Sequence, residues 1–306
     1  MKRLLQLFLL SSLLMITNSL FAASALIDAD GLGEMMESDN KPIVLEVRYH
    51  PHRYFTVGHI EGAIQVQRFK DLGDNLASPN MRFPSYQVFQ KRLRAWGINN
   101  DSNLVIYDDS STALASRLYV MLKMYGFTMS QVKVLNGGTS EWSAFNDLTK
   151  KATPKPTLGD VTLKPKNPNM LIEWMDVYEK VISLRDPNTV LVDARPQGMY
   201  TGEVIKHAVQ GGHIPGAINI VSLDGTSGGS WKDEAELADM YKAIPKDKTI
   251  FLYCHDGFRM SLAYMQLESL GYKDVRLLNG GWSIWDQAMT LPIVKGDKPY
   301  DEEYEL

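Results

Sequence analysis

The chain has 306 residues, of which 44% are hydrophobic and 22% charged, a globular composition with enough length for two ordinary domains. Its formal net charge is −4 at pH 7, and this mildly acidic balance argues against a nucleic acid or an anionic membrane surface as a partner. Cysteine occurs once, at Cys254, so no internal disulfide can form.

Residues 1–23 have the pattern of a secretory signal peptide. Two basic residues, Lys2 and Arg3, precede an apolar run that ends at Ile16, and small residues follow near Ala23. The run is too short to span a bilayer and no stop-transfer pattern follows it, so we expect cleavage near Ala23 and no stable membrane anchor afterwards. Cleavage changes the formal net charge to −6. The pattern predicts a periplasmic or otherwise secreted protein.

Four short motifs recur in the same order in the two halves of the chain, which indicates an internal duplication. Matching positions lie 147, 154, 146 and 143 residues apart, so the order holds and only the loop lengths differ. The pairs are Ile43–Arg48 with Val190–Arg195, Gly58–Ile64 with Gly212–Ile218, Leu104–Asp108 with Ile250–Cys254, and Val134–Gly138 with Leu277–Gly281.

Helical periodicity follows the third motif in each half. Apolar residues at helical spacing from Leu114 to Tyr125 precede Gly126, and a similar set from Met260 to Leu270 precedes Gly271. Each glycine suits a helix C-terminus. Because β-branched strand runs alternate with such helices, the sequence predicts two α/β domains, each with a largely parallel sheet covered on both faces.

A Lys- and Pro-rich stretch that cannot form a regular helix separates the two halves. We interpret residues 150–170 as an interdomain linker. This interpretation gives an N-terminal domain at 24–149 and a C-terminal domain at 171–306. In the second of these, the Gly- and Ser-rich run Ser222–Gly229 is consistent with a mobile flap near a site or with an inert surface loop.

Cys254 lies where a predicted strand passes through a short loop into a helix. Ligands of parallel α/β sheets bind beyond the carboxyl ends of strands, and a helix start points unpaired N–H groups at the loop centre. We therefore interpret Cys254 as a nucleophile and expect the loop to favour its thiolate. Gly257 permits a tight turn, and Arg259 adds a positive charge. The alternative is an inert buried cysteine.

The ordered set of motifs, present twice, resembles the two-domain rhodanese family of sulfurtransferases. It includes a Gly-His-Ile-x-Gly-Ala turn, a Cys-x-x-Gly-x-Arg loop and a Leu-Asn-Gly-Gly element. The resemblance implies two tandem rhodanese-like α/β domains, each a mainly parallel sheet with helices on both faces, with catalysis in the C-terminal domain alone. The N-terminal copy has Asp108 at the cysteine position. A carboxylate cannot form a persulfide, so we expect that domain to be structural and pocket-forming.

The resemblance implies transfer of a sulfane sulfur through a Cys254 persulfide to a thiophilic acceptor such as cyanide or a thiol. The expected partners are a small sulfur-containing anion as donor and, as a further acceptor, a sulfur-accepting protein. No metal or organic cofactor is required. Asp193 and Arg195 form either a supporting pair beneath the loop or a plain structural salt bridge. The predicted substrate-binding residues are His255, Asp256, Gly257, Phe258 and Arg259.

Two positions bear on the identity of the donor. Family members that use thiosulfate resemble one another in carrying a lysine two residues after the cysteine and an arginine in the stretch aligned with 197–200, where this chain has Asp256 and Met199. The loop also lacks the Cys-Gly-Ser-Gly pattern of the mercaptopyruvate enzymes. We expect Arg259 and His255 to compensate in part by charge. Thiosulfate is the first expected donor by analogy, and 3-mercaptopyruvate is the alternative.

Two other functions fit parts of the pattern. A phosphatase of related fold needs five residues between cysteine and arginine to wrap a phosphoryl group, whereas Cys254 and Arg259 have four between them, which suits a single sulfur atom better. A non-enzymatic sulfur carrier would load Cys254 and pass the sulfur only to a partner protein. The sequence leaves this second alternative open.

Four other histidines are predicted to lie outside the chemistry. His50 and His52 lie two residues apart, a weak metal signal without further ligands at suitable spacing, so we expect a solvated surface. His59 and His213 occupy matching turns and are predicted to hydrogen-bond to backbone.

Overall fold

The computed structural model describes residues 25–77, 81–165, 167 and 169–301. The predicted signal peptide lies outside the described residues, and so do residues 302–306. Within the described ranges, no helix is long and apolar enough to cross a bilayer.

The first half of the described chain forms a parallel sheet covered by helices. Its central strands β2 and β4 are buried along nearly their whole length, as expected for a parallel sheet with two covered faces. The strands are β1 (Leu26–Ile27), β2 (Ile43–Arg48), β3 (Ile64–Gln67), β4 (Leu104–Asp108) and β5 (Val132–Leu135), in the order β1-β5-β4-β2-β3. The helices are α1 (Ala29–Glu37), α2 (Arg53–Thr56), α3 (Arg68–Asp71), α4 (Tyr86–Ala95), α5 (Ala113–Met124) and α6 (Gly138–Phe145).

The second half repeats this arrangement with the same strand topology. Its parallel sheet has the order β6-β12-β11-β7-β8, and β9 and β10 form a separate short antiparallel hairpin. The strands are β6 (Leu171–Ile172), β7 (Thr189–Asp193), β8 (Ala217–Asn219), β9 (Thr226–Ser227), β10 (Ser230–Trp231), β11 (Thr249–Tyr253) and β12 (Val275–Leu278). The helices are α7 (Trp174–Val177), which continues as a π-helix through Ser183, α8 (Gln197–Thr201), α9 (Glu234–Tyr241), α10 (Phe258–Ser269) and α11 (Trp282–Trp285). The prediction of two parallel α/β domains is confirmed.

The duplication extends to individual side chains. In the first domain the rings of Tyr54 and His59 stack with centroids 3.5 Å apart, and in the second those of Tyr200 and His213 stack at 3.7 Å. Each histidine Nδ1 lies 2.9 Å from the backbone oxygen of its tyrosine. The prediction that both histidines hydrogen-bond to backbone is confirmed.

Helices α5 and α10 hold the two domains together. Both follow the strand that ends at the Asp108 or Cys254 position, and nearly all of their residues are buried in one core shared by both domains. At the edge of this contact, Glu268 accepts a hydrogen bond from the Tyr119 hydroxyl at 3.0 Å and pairs with Lys123. A helix that is apolar on every face needs partners all round, which explains why α5 lies between the two sheets.

Two segments outside the parallel sheets also link the two domains. Residues 151–165 contain no helix or strand, and Val161 and Leu163 of this segment are buried. The β9–β10 hairpin reaches the first domain, where the Trp231 indole donates to the Thr112 hydroxyl at 2.7 Å. The Ser222–Gly229 run therefore leads into a hairpin that is anchored to the first domain.

Because the core is shared, we expect one buried leucine of α5 to stabilise the whole molecule. Leu118 is fully buried, so Leu118→Ala should lower the free energy of unfolding by about 2–5 kcal/mol in urea denaturation. The matched control is Leu76→Ala, since Leu76 is 97% exposed and should change the free energy by less than about 0.5 kcal/mol. Equal effects of the two substitutions would contradict this packing.

Candidate active site

Cys254 lies directly after β11, at the carboxyl end of the second sheet. The backbone N–H of Gly257 donates to its Sγ at 3.1 Å. Gly257 is the N-cap of α10 and has φ +105°, a backbone conformation that side chains with a Cβ rarely adopt. The predicted strand, tight loop and helix start around Cys254 are therefore present.

The matching loop of the first domain binds an anion that the protein itself supplies. Asp108 is fully buried, and in the described structure its carboxylate accepts four backbone N–H hydrogen bonds. Ser110 and Thr112 donate to Oδ1 at 2.9 and 3.0 Å, and Leu114 and Ala115 donate to Oδ2 at 2.7 and 2.8 Å. Burial raises the pKa of Asp108 to about 6 even though these amides lower it. The loop is thus a cradle for a small anion.

The same side-chain hydrogen bond occurs at the start of α5 and at the start of α10, and it aligns the two helices residue by residue. The Ser116 hydroxyl donates to the Thr112 carbonyl and the Ser261 hydroxyl to the Gly257 carbonyl, both at 2.7 Å. Thr112 therefore corresponds to Gly257.

The cradle amides of the first domain have counterparts around Cys254. By the same offset Ala115 corresponds to Met260, whose amide, like that of Gly257, interacts with the Cys254 sulfur. The second loop is one residue shorter between its key residue and the helix. The Cys254 sulfur consequently occupies the centre of a cradle whose twin holds the Asp108 carboxylate.

A buried arginine of the first domain supports the active loop, and sequence reasoning missed it. Arg117 of α5 donates to the backbone oxygens of Leu72 at 2.9 Å, Met81 at 2.7 Å and Asp256 at 3.3 Å. Burial lowers its pKa to about 10, so it stays cationic at neutral pH. A Cβ at Gly257 would overlap Arg117 Nη1. The sequence signal that indicates this role is a single arginine within a predicted apolar helix, because a buried arginine needs a polar partner.

A cavity of about 850 Å³ opens between the two domains above the active loop. Cys254 and Gly257 are buried and are not among the residues that line it, whereas their neighbours in the loop are. The predicted residues that line the cavity are Met199, His255, Asp256, Phe258 and Arg259. First-domain residues that line it include Tyr49, Arg68, Phe69, Met81, Ser110 and Leu114.

The expectation that the loop favours the thiolate is wrong for the protein without a bound donor. Burial raises the pKa of Cys254 above its ordinary value. The charge of Arg259 and the amides of Met260 and Gly257 lower this pKa, but burial outweighs them, and the Asp256 carboxylate adds to the rise. Free Cys254 is therefore a thiol at neutral pH.

The expectation that His255 carries a positive charge is also wrong. Burial lowers the pKa of this imidazole, so His255 is neutral at neutral pH. Of the two predicted cationic groups only Arg259 contributes, and its Nη1 lies 3.5 Å from Met199 Sδ. The cavity has two further cations that the sequence analysis missed, Arg68 from the first domain and Lys206 from the loop after α8. They come from segments outside every recurring motif.

The Asp193–Arg195 pair lies at the carboxyl end of β7 and does not line the cavity. Arg195 Nη2 lies 2.6 Å from Asp193 Oδ2, and both residues are buried. Burial opposes the charge of Arg195, but Asp193 outweighs it and raises the pKa of the guanidinium. The first domain has the equivalent buried pair Glu46–Arg48 at 2.5 Å. Because the pair recurs in the domain without a cysteine, its geometry favours the structural alternative.

His50 lines the cavity beside Tyr49, and its ring centroid lies 5.7 Å from that of His52. Within the described ranges, no group of three or more histidine, cysteine, aspartate or glutamate side chains is placed to hold a metal ion.

Comparisons with known proteins agree with this double architecture. The family profile described as "Rhodanese-like domain" matches residues 28–145 and again residues 178–288. The chain therefore belongs to the rhodanese-like domain family, with two tandem copies.

Individual relatives cover nearly the whole chain. It is 31% identical to "Sulfur carrier protein TtuD" of Thermus thermophilus, over 89% of this chain and 97% of that protein. It is 30% identical to "Putative thiosulfate sulfurtransferase" of Haloferax volcanii, over 92% of this chain and 100% of that protein. The crystal structure of SseA from Escherichia coli, titled a 3-mercaptopyruvate sulfotransferase, matches the fold with a TM-score of 0.73 and 24% identity, over 85% of this chain and 99% of that one.

The raised pKa of Cys254 predicts a particular pH profile of alkylation. Burial keeps the thiol protonated, so its rate constant with iodoacetamide should still rise with pH beyond about 8.5, the ordinary thiol pKa. Cys254 is the only cysteine, so intact-mass analysis reports this site alone. A small free thiol measured in parallel is the reference. A rate constant that reaches its plateau at lower pH than the reference would contradict the assignment.

Proposed function

We propose that the protein is a rhodanese-type sulfurtransferase that moves a sulfane sulfur from a donor to a thiophilic acceptor through a persulfide on Cys254. The family membership and the sulfurtransferase name of the Haloferax volcanii relative support the reaction class. The first domain would supply walls of the cavity and the support of Arg117, and the second domain would carry the chemistry.

The twin cradle is the observation that carries this proposal. The first-domain loop holds a buried carboxylate by four backbone amides, and the counterparts of two of them, the amides of Gly257 and Met260, interact with the Cys254 sulfur. A sulfur added to Cys254 Sγ extends the side chain by one atom, as a carboxylate oxygen extends that of aspartate beyond Cγ. The outer sulfur of a persulfide anion would thus receive the hydrogen bonds that the Asp108 carboxylate receives.

The transfer proceeds in two steps. After Cys254 has lost its proton, the thiolate attacks the outer sulfur of the donor, a new S–S bond forms, and the electron pair of the broken bond leaves with the rest of the donor. With thiosulfate the leaving group is sulfite. The acceptor then attacks the outer sulfur of the persulfide and releases the Cys254 thiolate; with cyanide the product is thiocyanate. Neither step calls for a metal or an organic cofactor.

Thiosulfate is the first donor that we propose, with 3-mercaptopyruvate as the alternative. Cations of both domains that line the cavity, Arg68, Lys206 and Arg259, make up for the lysine and arginine that the sequence lacks at Asp256 and Met199. Their charge favours an anionic donor. Acceptors would be thiols, cyanide or a sulfur-accepting protein.

A sulfur carrier without turnover is the second candidate function. A relative from Thermus thermophilus is named as a sulfur carrier, which supports this candidate. A carrier would hold its persulfide in the presence of cyanide and form negligible thiocyanate. A sulfurtransferase would form thiocyanate over many turnovers.

We also propose that the protein is exported to the periplasm or secreted, with residues 1–23 as a cleaved signal peptide. The basic start, the apolar run and the small residues near Ala23 support export. For the mature chain we propose domains at 24–149 and 171–306, joined by a linker at 150–170. Edman sequencing of the exported protein tests the cleavage site.

The persulfide is tested by mass. After incubation with thiosulfate and removal of the donor, the intact protein should gain one sulfur atom, and cyanide should remove it with release of thiocyanate. Cys254→Ser should gain no sulfur while keeping its circular dichroism spectrum, because serine cannot form the persulfide. Sulfur transfer by the serine variant would rule out Cys254 as the carrier of the sulfur.

Arg259 should act on both the donor and the sulfur. Arg259→Gln should raise the KM for thiosulfate by about tenfold or more, the size of one charge-assisted hydrogen bond, and move the alkylation profile of Cys254 to higher pH, since Arg259 lowers the pKa of the thiol. The matched control is Arg276→Gln, which removes a cation of the same domain that pairs with Asp274. Equal KM values for the two variants would exclude Arg259 from donor binding.

A further inference from the structure

Arg68 is a cation of the first domain that lies at the boundary with the active loop. It begins α3 and is 9% exposed. Its guanidinium carbon stacks 3.8 Å from the ring centroid of Tyr49 and 4.0 Å from that of Phe69, and it lies 5.6 Å from the ring centroid of Phe258, the first residue of α10. Aromatic rings of both domains thus fix the guanidinium in one place.

The charge of Arg68 has no counterion in the part of the chain that the structure describes. No carboxylate of the described residues forms an ion pair with it. Its Nε is buried without a hydrogen-bond partner among those residues. Buried charges are normally paired, because an isolated one loses its hydration without compensation. Arg68 also lines the cavity, so an anion that enters there can supply the missing negative charge.

The cavity exceeds the needs of one thiosulfate ion. Its volume of about 850 Å³ falls in the range of pockets that hold organic molecules of many atoms. Apolar side chains also line the cavity, among them Phe69, Met81 and Phe258. A ligand with an apolar body would fit these walls. Asp256 is the one carboxylate among the described lining residues, against three cations.

We propose that Arg68 binds a carboxylate of an organic sulfur donor, whose apolar body lies against the apolar walls of the cavity and whose sulfane sulfur meets Cys254. This proposal rests on the proposed sulfur transfer and specifies its substrate class. The Cys254 thiolate attacks the terminal sulfur, the donor's S–S bond breaks, and its electron pair leaves on the organic fragment as a thiolate or a sulfinate. Arg68 acts on donor choice and takes no part in the bond changes.

The test uses two donors that differ only in the carboxylate, benzenethiosulfonate and para-carboxybenzenethiosulfonate, with cyanide as acceptor and thiocyanate as the measured product. The wild-type protein should prefer the carboxylated donor by about tenfold or more in kcat/KM, chiefly through KM. Arg68→Gln should bring this ratio close to one, and Arg68→Lys should restore part of it because the charge remains.

The control is Lys70→Gln, which removes an exposed cation two residues away and should keep the wild-type ratio. A wild-type ratio near one, or an equal loss with both donors in Arg68→Gln, would overturn the role of Arg68 and leave it as a packing residue of the domain boundary. If neither donor adds sulfur to Cys254 in the wild-type protein by intact mass while thiosulfate does, the organic-donor proposal fails and the sulfurtransferase proposal stands. If thiosulfate adds no sulfur either, the sulfurtransferase proposal itself fails.

Discussion

Backbone amides that converge on one buried atom are the constraint on which this structure depends. A strand end and a helix start must meet within a few residues, and N–H groups that the helix cannot satisfy then point inward. In the first domain they bind the Asp108 carboxylate, and in the second they surround the Cys254 sulfur. The shared core around α5 and α10 keeps both helix starts in place, so fold stability and site geometry have one origin.

The two domains show how one scaffold separates structure from chemistry. Where Asp108 fills the cradle, its carboxyl group is part of the chain and accepts the amide hydrogen bonds without any ligand. Where Cys254 stands, burial keeps the thiol neutral, and the amides are fully used only when a negatively charged sulfur forms. The second cradle therefore forms stronger hydrogen bonds with the persulfide anion than with the neutral thiol. Stronger binding of the intermediate than of the resting state is what stabilises an intermediate.

The sequence predicted the sheets, the duplication and the position of Cys254, because strand periodicity, glycine turns and motif order are local properties. It failed on protonation, since the thiolate of Cys254 and the charge of His255 depend on burial by residues distant in the chain. It also missed Arg68 and Arg117, because no spacing rule relates α3 or α5 to a loop more than a hundred residues later. Those contacts arise only from domain packing.

The position of Arg117 against Gly257 makes the active loop a product of both domains. Its guanidinium occupies the space that any side chain at Gly257 would need, and it binds the Asp256 carbonyl. An isolated C-terminal half would lack this brace, and its loop would be free to rearrange. The cysteine-free domain thus acts as an intramolecular clamp on the loop that carries Cys254.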